Sequence, residues 1–273
     1  MRTVKLADKD VAAIGQGTWY MGEDPGQRSR EVAALQHGIE LGLTLIDTAE
    51  MYAEGGAEEV VGQAIAGRRE QVFVVSKVYP HNASRNGVAA ACERSLKRLG
   101  SDYIDLYLLH WRGQHPLEET VEAFERLREA GKIGRWGVSN FDVDDLRELH
   151  NPDCATNQVL YNPAQRGIEF DLLPWSVKRN LPTMAYCPLA QAGRLLKHPT
   201  LIEIAERHGA TPAQVSLAWV TRQDGVIAIP KAVTPEHVRL NAAAATLTLT
   251  NEDLRAIDRA FPVPTRKQPL AMV

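Results

Sequence analysis

Short apolar runs alternate with longer amphipathic stretches along almost the whole chain. The runs, in order, are AAIG, LTLID, VFVVSK, YIDLYLLH, IGRWGVSN, CATNQVLY, PTMAYCPL and GVIAIPKA. A run that is apolar at consecutive positions is typical of a strand buried on both faces, as happens when helices cover a parallel sheet. Eight strand–helix units in succession predict the α/β class and a closed (β/α)8 TIM barrel.

Two segments lie outside these repeated units. The first, VKLADKDVAAIG, alternates in polarity and predicts an N-terminal β-hairpin leading into the barrel. The last, FPVPTRKQPLAMV, predicts a short C-terminal tail that either lies over the barrel mouth or frays. Since the chain contains no linker rich in proline, glycine and serine between two folded units, we expect residues 1–273 to form one barrel domain.

Helix boundary signals agree with this pattern. We expect the first helix to run from about Arg28 to Leu41, with its apolar residues on one face. Thr211 and Asn251 each precede a helical stretch and predict N-caps, while Gly100 predicts a helix end. The pair Glu58–Glu59 predicts a solvated first helical turn, where the helix dipole favours acidic residues.

Composition excludes several classes of protein. Hydrophobic residues make up 44% of the 273 residues, so the chain can bury a large core. A formal net charge of -3 gives no reason to expect nucleic acid or an anionic membrane as partner. The beginning of the sequence is charged and no run reaches the length of a membrane span, so we expect a cytoplasmic protein with no membrane partner.

The cysteines and histidines argue against a metal site. Cys92, Cys154 and Cys187 are widely spaced and odd in number, which predicts a reducing compartment without a disulfide framework. The eight histidines show neither the HxH nor the HExxH spacing. We therefore expect no metal ion in the site.

Polar or aromatic residues stand at the end of every apolar run or just beyond it. They are Trp19, Asp47, Lys77, His110, Ser139 with Asn140, Gln158, Tyr186 and Lys231. Because the active sites of such barrels lie at the carboxyl ends of the strands, we predict that these side chains share one rim. Tyr52, five residues after Asp47, then suggests acid–base chemistry, since a nearby cation such as Lys77 can lower the pKa of a phenol.

The chain resembles the aldo-keto reductases, and among them the bacterial members that reduce methylglyoxal and similar small carbonyls. The motifs that carry the resemblance, in family order and spacing, are GQGTW, LIDTAEMY, VVSKV, LYLLHW, GKIGRWGVSNF, NQVLYN, MAYCPLAQ and IPKA. The resemblance implies that Tyr52 is the general acid and that Lys77 lowers its pKa. It also implies that Asp47 pairs with Lys77 and that His110 orients the substrate carbonyl.

The resemblance also implies NADPH as cofactor, with NADH used weakly. Ser139, Asn140 and Gln158 would meet the nicotinamide carboxamide, and Tyr186 would stack on the ring. The further cofactor contacts that we expect are Thr18, Leu189, Lys231, His237 and Asn241. His237 stands where the family usually has arginine, so we expect a modest NADPH preference that strengthens as the pH falls.

We expect the substrate, a small aldehyde or ketoaldehyde, to contact Trp19, Tyr79 and Trp111. Two other functions stay open. Lys77 at a strand end would also suit a lyase that forms a Schiff base. The chain would alternatively be a non-catalytic subunit that senses a nicotinamide cofactor. We expect a monomer or a weak oligomer.

Overall fold

A computed structural model describes residues 2–273 and begins with the predicted hairpin. Strands β1 (Thr3–Leu6) and β2 (Lys9–Ala12) pair antiparallel. Eight parallel strands then follow, each hydrogen-bonded to the next in chain order. They are β3 (Gln16–Gly17), β4 (Leu45–Asp47), β5 (Phe73–Val78), β6 (Ile104–Leu109), β7 (Ile133–Ser139), β8 (Cys154–Leu160), β9 (Thr183–Tyr186) and β10 (Val226–Ala228).

Helices connect these strands and form the outer layer. They are α1 (Arg28–Glu40), α2 (Gly56–Ile65), α3 (Gly87–Leu99), α4 (Leu117–Glu129), α5 (Val143–Leu149), α6 (Leu172–Val177), α7 (Pro199–Arg207), α8 (Pro212–Val220), α9 (Pro235–Ala244) and α10 (Asn251–Ala260). Short 3₁₀ turns occur at Pro25–Gln27, Tyr52–Gly55, Arg69–Gln71, Pro80–Asn82, Gly167–Glu169, Ala190–Ala192 and Arg194–Lys197. None of the helices in the described part of the chain has the length and apolarity of a membrane span.

The first and last parallel strands meet, which closes the sheet into the predicted barrel. The backbone N–H of Gly15 donates to the carbonyl of Ala228 at 2.8 Å, and that of Gly17 donates to Pro230 at 3.0 Å. A Cβ atom on Gly17 would lie 2.6 Å from the carbonyl oxygen of Ile229, so the close approach at this seam requires glycine. The predicted strand AAIG takes part only through a bridge at Ile14, because the regular pairing begins at Gln16.

Two apolar clusters fill the structure. The inner cluster lies within the barrel and includes Leu45, Val75 and Leu108. Leu6 and Val11 of the hairpin belong to the same cluster, so the hairpin covers the amino-terminal end of the barrel. The outer cluster packs the opposite faces of the strands against the helices. The carboxyl ends of the strands are therefore the end of the barrel that remains free for a site.

Helix ends follow the predicted signals with one exception. Thr211 caps α8 through its side chain, and Gly100 ends α3 with a φ of 59°. The N-cap of α10 is Thr250 rather than Asn251, which was predicted wrongly. Thr250 has the extended backbone of a cap and its hydroxyl accepts a backbone N–H of the first turn, whereas Asn251 is already helical.

Candidate active site

A cavity of about 690 Å³ opens at the carboxyl ends of the barrel strands. Its wall brings together most of the side chains that the sequence analysis singled out. Those that line it are Thr18, Trp19, Asp47, Tyr52, His110, Trp111, Ser139, Asn140, Gln158, Tyr186, Leu189 and Lys231. The cavity therefore contains the predicted catalytic groups, Lys77 excepted, together with most of the predicted cofactor contacts.

Lys77 lies beneath the cavity floor and is completely buried. Its Nζ donates to Oδ2 of Asp47 at 2.8 Å, to the carbonyl of Thr48 at 2.7 Å and to the hydroxyl of Tyr52 at 3.1 Å. These three acceptors match the three hydrogens of an ammonium group. Lys77 is thus fixed in place, with Tyr52 between its charge and the cavity.

The backbone around Tyr52 has an unusual conformation. Tyr52 begins a 3₁₀ turn in which Ala53 and Glu54 have φ values of 51° and 53°, and Gly55 follows with a φ of 94°. A Cβ atom on Gly55 would lie 2.4 Å from Nε of Arg98, so that guanidinium passes directly over the turn. Glycine at this position therefore lets α3 pack against the segment that carries the phenol.

Arg98 reaches over this turn to a carboxylate inside the protein. Its Nε donates to Oε2 of Glu58 at 2.6 Å, and the hydroxyl of Ser76 donates to Oε1 at 2.6 Å. Glu58 is fully buried, so the prediction that it belongs to a solvated turn was wrong. Burial is tolerated because both carboxylate oxygens have charged or polar partners. Glu59, by contrast, is exposed as predicted.

The pKa of Tyr52 is raised rather than lowered. Burial shifts the pKa of this phenol well above its usual range, and the carboxylate of Asp47 adds to the shift. The lowering by the ammonium of Lys77 that the resemblance implies stays a prediction, since burial and Asp47 set the direction of the observed shift. Tyr52 consequently keeps its proton at neutral pH, which is the state that a proton donor requires.

Asp47 and Lys77 form a buried ion pair. Burial raises the pKa of Asp47 and lowers that of Lys77, and the attraction between the two charges opposes both shifts. Gln158 supports the pair, since its Nε2 donates to Oδ1 of Asp47 at 2.7 Å. Both carboxylate oxygens of Asp47 are thus occupied, which fixes its orientation as well as its charge.

His110, just after β6, is a neutral imidazole. Burial lowers its pKa well below the usual value, and the positive charge of Lys77 contributes to the same direction. Its Nδ1 is buried and has no hydrogen-bond partner within residues 2–273. Its ring meets that of Tyr52 edge-on with centroids 5.7 Å apart. The two side chains can therefore approach the same atom of a small ligand.

A hydrogen-bonded group of polar side chains forms the opposite wall. Oδ1 of Asn140 accepts from the hydroxyl of Tyr186 at 2.9 Å, and its Nδ2 donates to the carbonyl of His110 at 3.2 Å. The hydroxyl of Ser139 donates to the carbonyl of Gln158 at 2.9 Å. Asn140 itself has a φ of 59°, a left-handed conformation that asparagine tolerates better than most residues. These bonds hold amide and hydroxyl groups at fixed positions facing the cavity.

Three predicted contacts lie elsewhere in the described structure. Tyr79 does not line the cavity, because its ring packs edge-on behind Trp111 with centroids 5.6 Å apart. His237 and Asn241 lie on α9, outside the cavity wall, where His237 is exposed and Asn241 is buried. Trp19 and Trp111 do line the cavity, so two of the three predicted substrate contacts are in the wall.

Several cavity residues were not predicted from the sequence. Tyr20 and Met51 line it, and so do Met272 and Val273 from the tail. The tail is attached to the barrel mouth, because Nζ of Lys267 donates to Asp142 and Asp171 at 2.5 and 2.9 Å. The tail therefore lies over the barrel mouth and does not fray, which is one of the two alternatives expected from the sequence. Met51 could have been predicted as a cavity residue from its position next to Tyr52 in the sequence. Nothing in the sequence marked Met272 and Val273 as cavity residues.

Comparison with known proteins identifies the family. Residues 13–261 match the model of the Aldo/keto reductase family. The chain belongs to this family. It is 58% identical over 274 residues to the methylglyoxal reductase YeaE of Escherichia coli (strain K12), which covers 97% of this chain and 96% of the relative. A glyoxal reductase of Bacillus subtilis (strain 168) is 37% identical over 94% of this chain and 91% of its own length.

Solved aldo/keto reductase structures have the same fold. A Klebsiella pneumoniae aldo/keto reductase in complex with NADP and acetate is 57% identical, with a TM-score of 0.98 over 99% of each chain. A second structure from the same organism, in complex with NADPH, also has a TM-score of 0.98 and covers 100% of this chain and 99% of that one. The barrel, the hairpin and the membership predicted from the sequence motifs are therefore confirmed.

Proposed function

We propose that this aldo/keto reductase reduces a small aldehyde or ketoaldehyde of the methylglyoxal type with NADPH, and that Tyr52 is the general acid. The observation that carries the proposal is the chain of contacts from Asp47 through Lys77 to the Tyr52 hydroxyl, which faces the cavity. The relative named methylglyoxal reductase and the solved structures with NADP and NADPH support the substrate class and the cofactor.

The cavity wall fits a nicotinamide cofactor. The amides of Asn140 and Gln158 and the hydroxyl of Ser139 offer the donors and acceptors that a carboxamide needs. Tyr186 presents an aromatic ring on the same wall, where it would pack against the nicotinamide. The cofactor, when bound, supplies the hydride that the carbonyl carbon accepts. Lys231 lines the same cavity at the end of the β10 segment and would hold the adenosine portion.

The chain's own groups handle the proton. A carbonyl that accepts hydride develops negative charge on oxygen, and the neutral phenol of Tyr52 can donate its proton to that oxygen. The ammonium of Lys77, 3.1 Å from the phenol oxygen, then stabilises the phenolate that remains. His110, which is neutral, has one N–H to orient the carbonyl before the transfer.

The shape of the mouth supports a small substrate. Trp19 and Trp111 form apolar sides of the cavity, and Met272 of the tail narrows it. The loop between β6 and α4 is short, running from residue 110 to residue 116. A small aldehyde can therefore reach Tyr52, whereas a bulky carbonyl would meet the indole rings.

The geometry gives no support to a Schiff-base lyase. Lys77 is completely buried and its ammonium already has three hydrogen-bond acceptors, so it would have to lose its proton and leave Asp47 before it could attack a carbonyl. The position of Lys77 instead suits a positive charge that supports Tyr52 as the proton donor. A cytoplasmic location, a monomeric or weakly oligomeric state and a single domain over residues 1–273 stay predictions.

The proposal is tested by Tyr52→Phe, with Tyr20→Phe as a matched control. Both tyrosines line the cavity, but we place only Tyr52 beside Lys77. We expect kcat for methylglyoxal with NADPH to fall by about 10²–10⁴-fold in Tyr52→Phe while the Kd for NADPH is unchanged. Tyr20→Phe should keep kcat within about threefold, as expected when no catalytic group is removed.

A panel of carbonyls, including methylglyoxal and larger ketones, assayed with NADPH and with NADH would test the substrate class at the same time. Near-normal kcat in Tyr52→Phe would remove Tyr52 from the role of general acid. Preferential reduction of bulky carbonyls would contradict the proposed substrate class.

A further inference from the structure

The carboxylate of Glu50 is buried close to the catalytic groups, and the proposed reaction does not use it. Its side chain is only 6% exposed. Oε1 accepts the backbone N–H of Tyr79 at 2.8 Å and Nδ2 of Asn82 at 3.0 Å. Oε2 lies 3.3 Å from the guanidinium of Arg94, whose side chain is half exposed. Two neutral donors thus share one buried oxygen, while the charged partner of the other oxygen is in contact with solvent.

The hydrogen bond from Tyr79 takes a defined place in the pairing of β4 with β5. Beyond the end of β4, the N–H of Thr48 donates to the carbonyl of Val75 at 2.8 Å. The N–H of Glu50 then donates to the carbonyl of Lys77 at 3.3 Å. These bonds recur every two residues in a regular parallel ladder, so the N–H of Tyr79 would next donate to the main-chain carbonyl of Glu50. It donates to the Glu50 side chain, and the carboxylate therefore replaces a backbone carbonyl in the ladder.

This replacement allows the main chain to turn directly after Glu50. The N–H of Tyr52 donates to the carbonyl of Ala49 at 3.1 Å, and the turn brings the phenol oxygen within 3.1 Å of Nζ of Lys77. A chain that continued as a strand would carry Tyr52 further along β5, because each strand residue advances by about 3.3 Å. Glu50 therefore joins the turn that carries the proton donor to the strand that carries the ammonium.

The same carboxylate oxygen fixes the segment behind the substrate wall. Asn82 ends the 3₁₀ turn Pro80–Asn82. The ring of Tyr79 packs edge-on against Trp111 with centroids 5.6 Å apart, and it lies 6.5 Å from the ring of His110. Loss of the shared acceptor would release the support of this wall together with the turn at Tyr52.

We propose that Glu50 is a positioning residue for carbonyl reduction, and that it acts through the acceptor atom Oε1 rather than through its charge. The inference rests on the proposed function, in which Tyr52 donates the proton. A proton donor must lie within hydrogen-bond reach of the carbonyl oxygen, and a displacement of about 1 Å can cost about 10²-fold in rate. The ion pair with Arg94 contributes little, because solvent screens a half-exposed guanidinium.

Four variants separate the acceptor from the charge. Glu50→Ala should lower kcat for methylglyoxal by about 10–100-fold and leave the Kd for NADPH within about twofold of native. Glu50→Asp keeps the charge but withdraws the oxygen by one methylene, so kcat should fall by a similar factor. Glu50→Gln, the conservative variant, keeps an oxygen for Tyr79 and should recover kcat to within about threefold of native. Arg94→Ala should change kcat by less than about twofold.

The solvent isotope effect distinguishes a misplaced donor from a general loss of structure. Product release limits kcat in many enzymes, so slower proton transfer in Glu50→Ala should raise the ratio of kcat in H₂O to kcat in D₂O. Asp105→Ala is the matched control, because buried Asp105 accepts the backbone N–H of Val74 at 2.9 Å near the opposite end of β5. It should lower Tm while leaving kcat and the isotope effect as in the native protein.

Native kcat and a native isotope effect in Glu50→Ala and Glu50→Asp would overturn the role of Glu50. Equal losses in Glu50→Gln and Glu50→Ala would overturn it as well, since charge rather than the acceptor would then be required. If Glu50→Ala is too unstable to assay, Glu50→Asp compared with Glu50→Gln makes the same distinction. Loss of activity in Tyr52→Phe with native Glu50 variants would overturn only this inference, whereas native kcat in Tyr52→Phe would overturn the proposed function.

Discussion

Asp47→Asn should destabilise the protein as well as inactivate it. The carboxylate accepts from Lys77 on one oxygen and from Gln158 on the other, at 2.8 and 2.7 Å. An amide is isosteric, but it places an NH₂ group against one of these two donors and removes the negative charge. Lys77 would then be a buried cation without a counterion.

The magnitude follows from the complete burial of Lys77. Removing one partner of a buried ion pair costs about 3–5 kcal/mol, because the other charge remains desolvated. For a domain of this size that corresponds to a fall in Tm of about 6–20 °C near pH 7. Catalysis should fall too, since the Tyr52 phenolate would lose a firmly positioned ammonium.

The loss of stability in Asp47→Asn should change with pH in a definite direction. Burial already lowers the pKa of Lys77, and loss of Asp47 should lower it further. The unfolded lysine titrates near its reference value of about 10.4, so between the two pKa values the unfolded state binds more protons than the folded state. Stability of the variant should therefore rise with pH between these two pKa values, and the difference in Tm from the native protein should narrow as the pH rises.

The assay is thermal or urea unfolding at several pH values, together with kcat for methylglyoxal. Asp105→Asn is a matched control, because Asp105 is also buried and accepts from Lys9 and from Arg69 at 2.7 Å each, near the hairpin end of the barrel. It should lose stability while keeping kcat. Equal Tm values for Asp47→Asn and the native protein would refute the reasoning, and a gap that does not change with pH would show that Lys77 stays protonated without Asp47.

Further predictions concern His110, a glycine contact and the tail. Because the pKa of His110 is lowered well below its usual value, protonation of this imidazole should cause no loss of kcat/KM around neutral pH, which a pH profile of the native protein would reveal. Gly22→Ala should lower Tm, at a cost above about 1 kcal/mol, since φ is 79° and the new Cβ would lie 2.4 Å from the carbonyl carbon of Gly56; an unchanged Tm would contradict the close packing. Lys267→Ala should release the tail that carries Met272 and raise KM for methylglyoxal about two- to fivefold with little change in kcat.

The rim of the site could be predicted because barrel topology leaves few alternatives. Parallel strands that alternate with helices all present their carboxyl ends on one side, so residues that end successive apolar runs must share that side. Asp47, His110 and Gln158 were located in this way. The hydrogen bond between Asp47 and Gln158 could not be predicted in the same way, because β4 and β8 lie four strands apart in the sheet and the bond crosses the barrel.

Quantities that depend on several neighbours at once could not be predicted. Burial is the largest effect on the pKa of Tyr52 and Asp47 adds to it, whereas the sequence indicated only an effect of Lys77. Glu58 looked like a solvated residue because its partners, the buried Ser76 and the partly buried Arg98, lie far from it in the sequence. No local pattern reports a partner that is brought in by tertiary packing.

The direction of side chains and the position of the tail residues in the cavity wall also could not be predicted from the sequence. Tyr79 follows β5 just as His110 follows β6, yet it turns behind Trp111, where its backbone N–H donates to Glu50 at 2.8 Å. Met272 belongs to no periodic segment, so nothing in the pattern placed it at the mouth. Strand ends predict which end of the barrel a residue occupies but not which way its side chain points.

The seam between Gly15 and Ala228 bears on how the chain folds. These residues are separated by most of the chain, so their hydrogen bonds can form only after nearly all of the barrel has been synthesised. Contacts between such distant residues carry a large loop-closure cost and slow folding. Until β10 arrives, the unpaired edge of β3 is open to pairing with another nascent chain. Bonds at the seam would therefore form late, and substitutions at Gly17 should lower the yield of folded protein more than equally destabilising substitutions within β5 and β6.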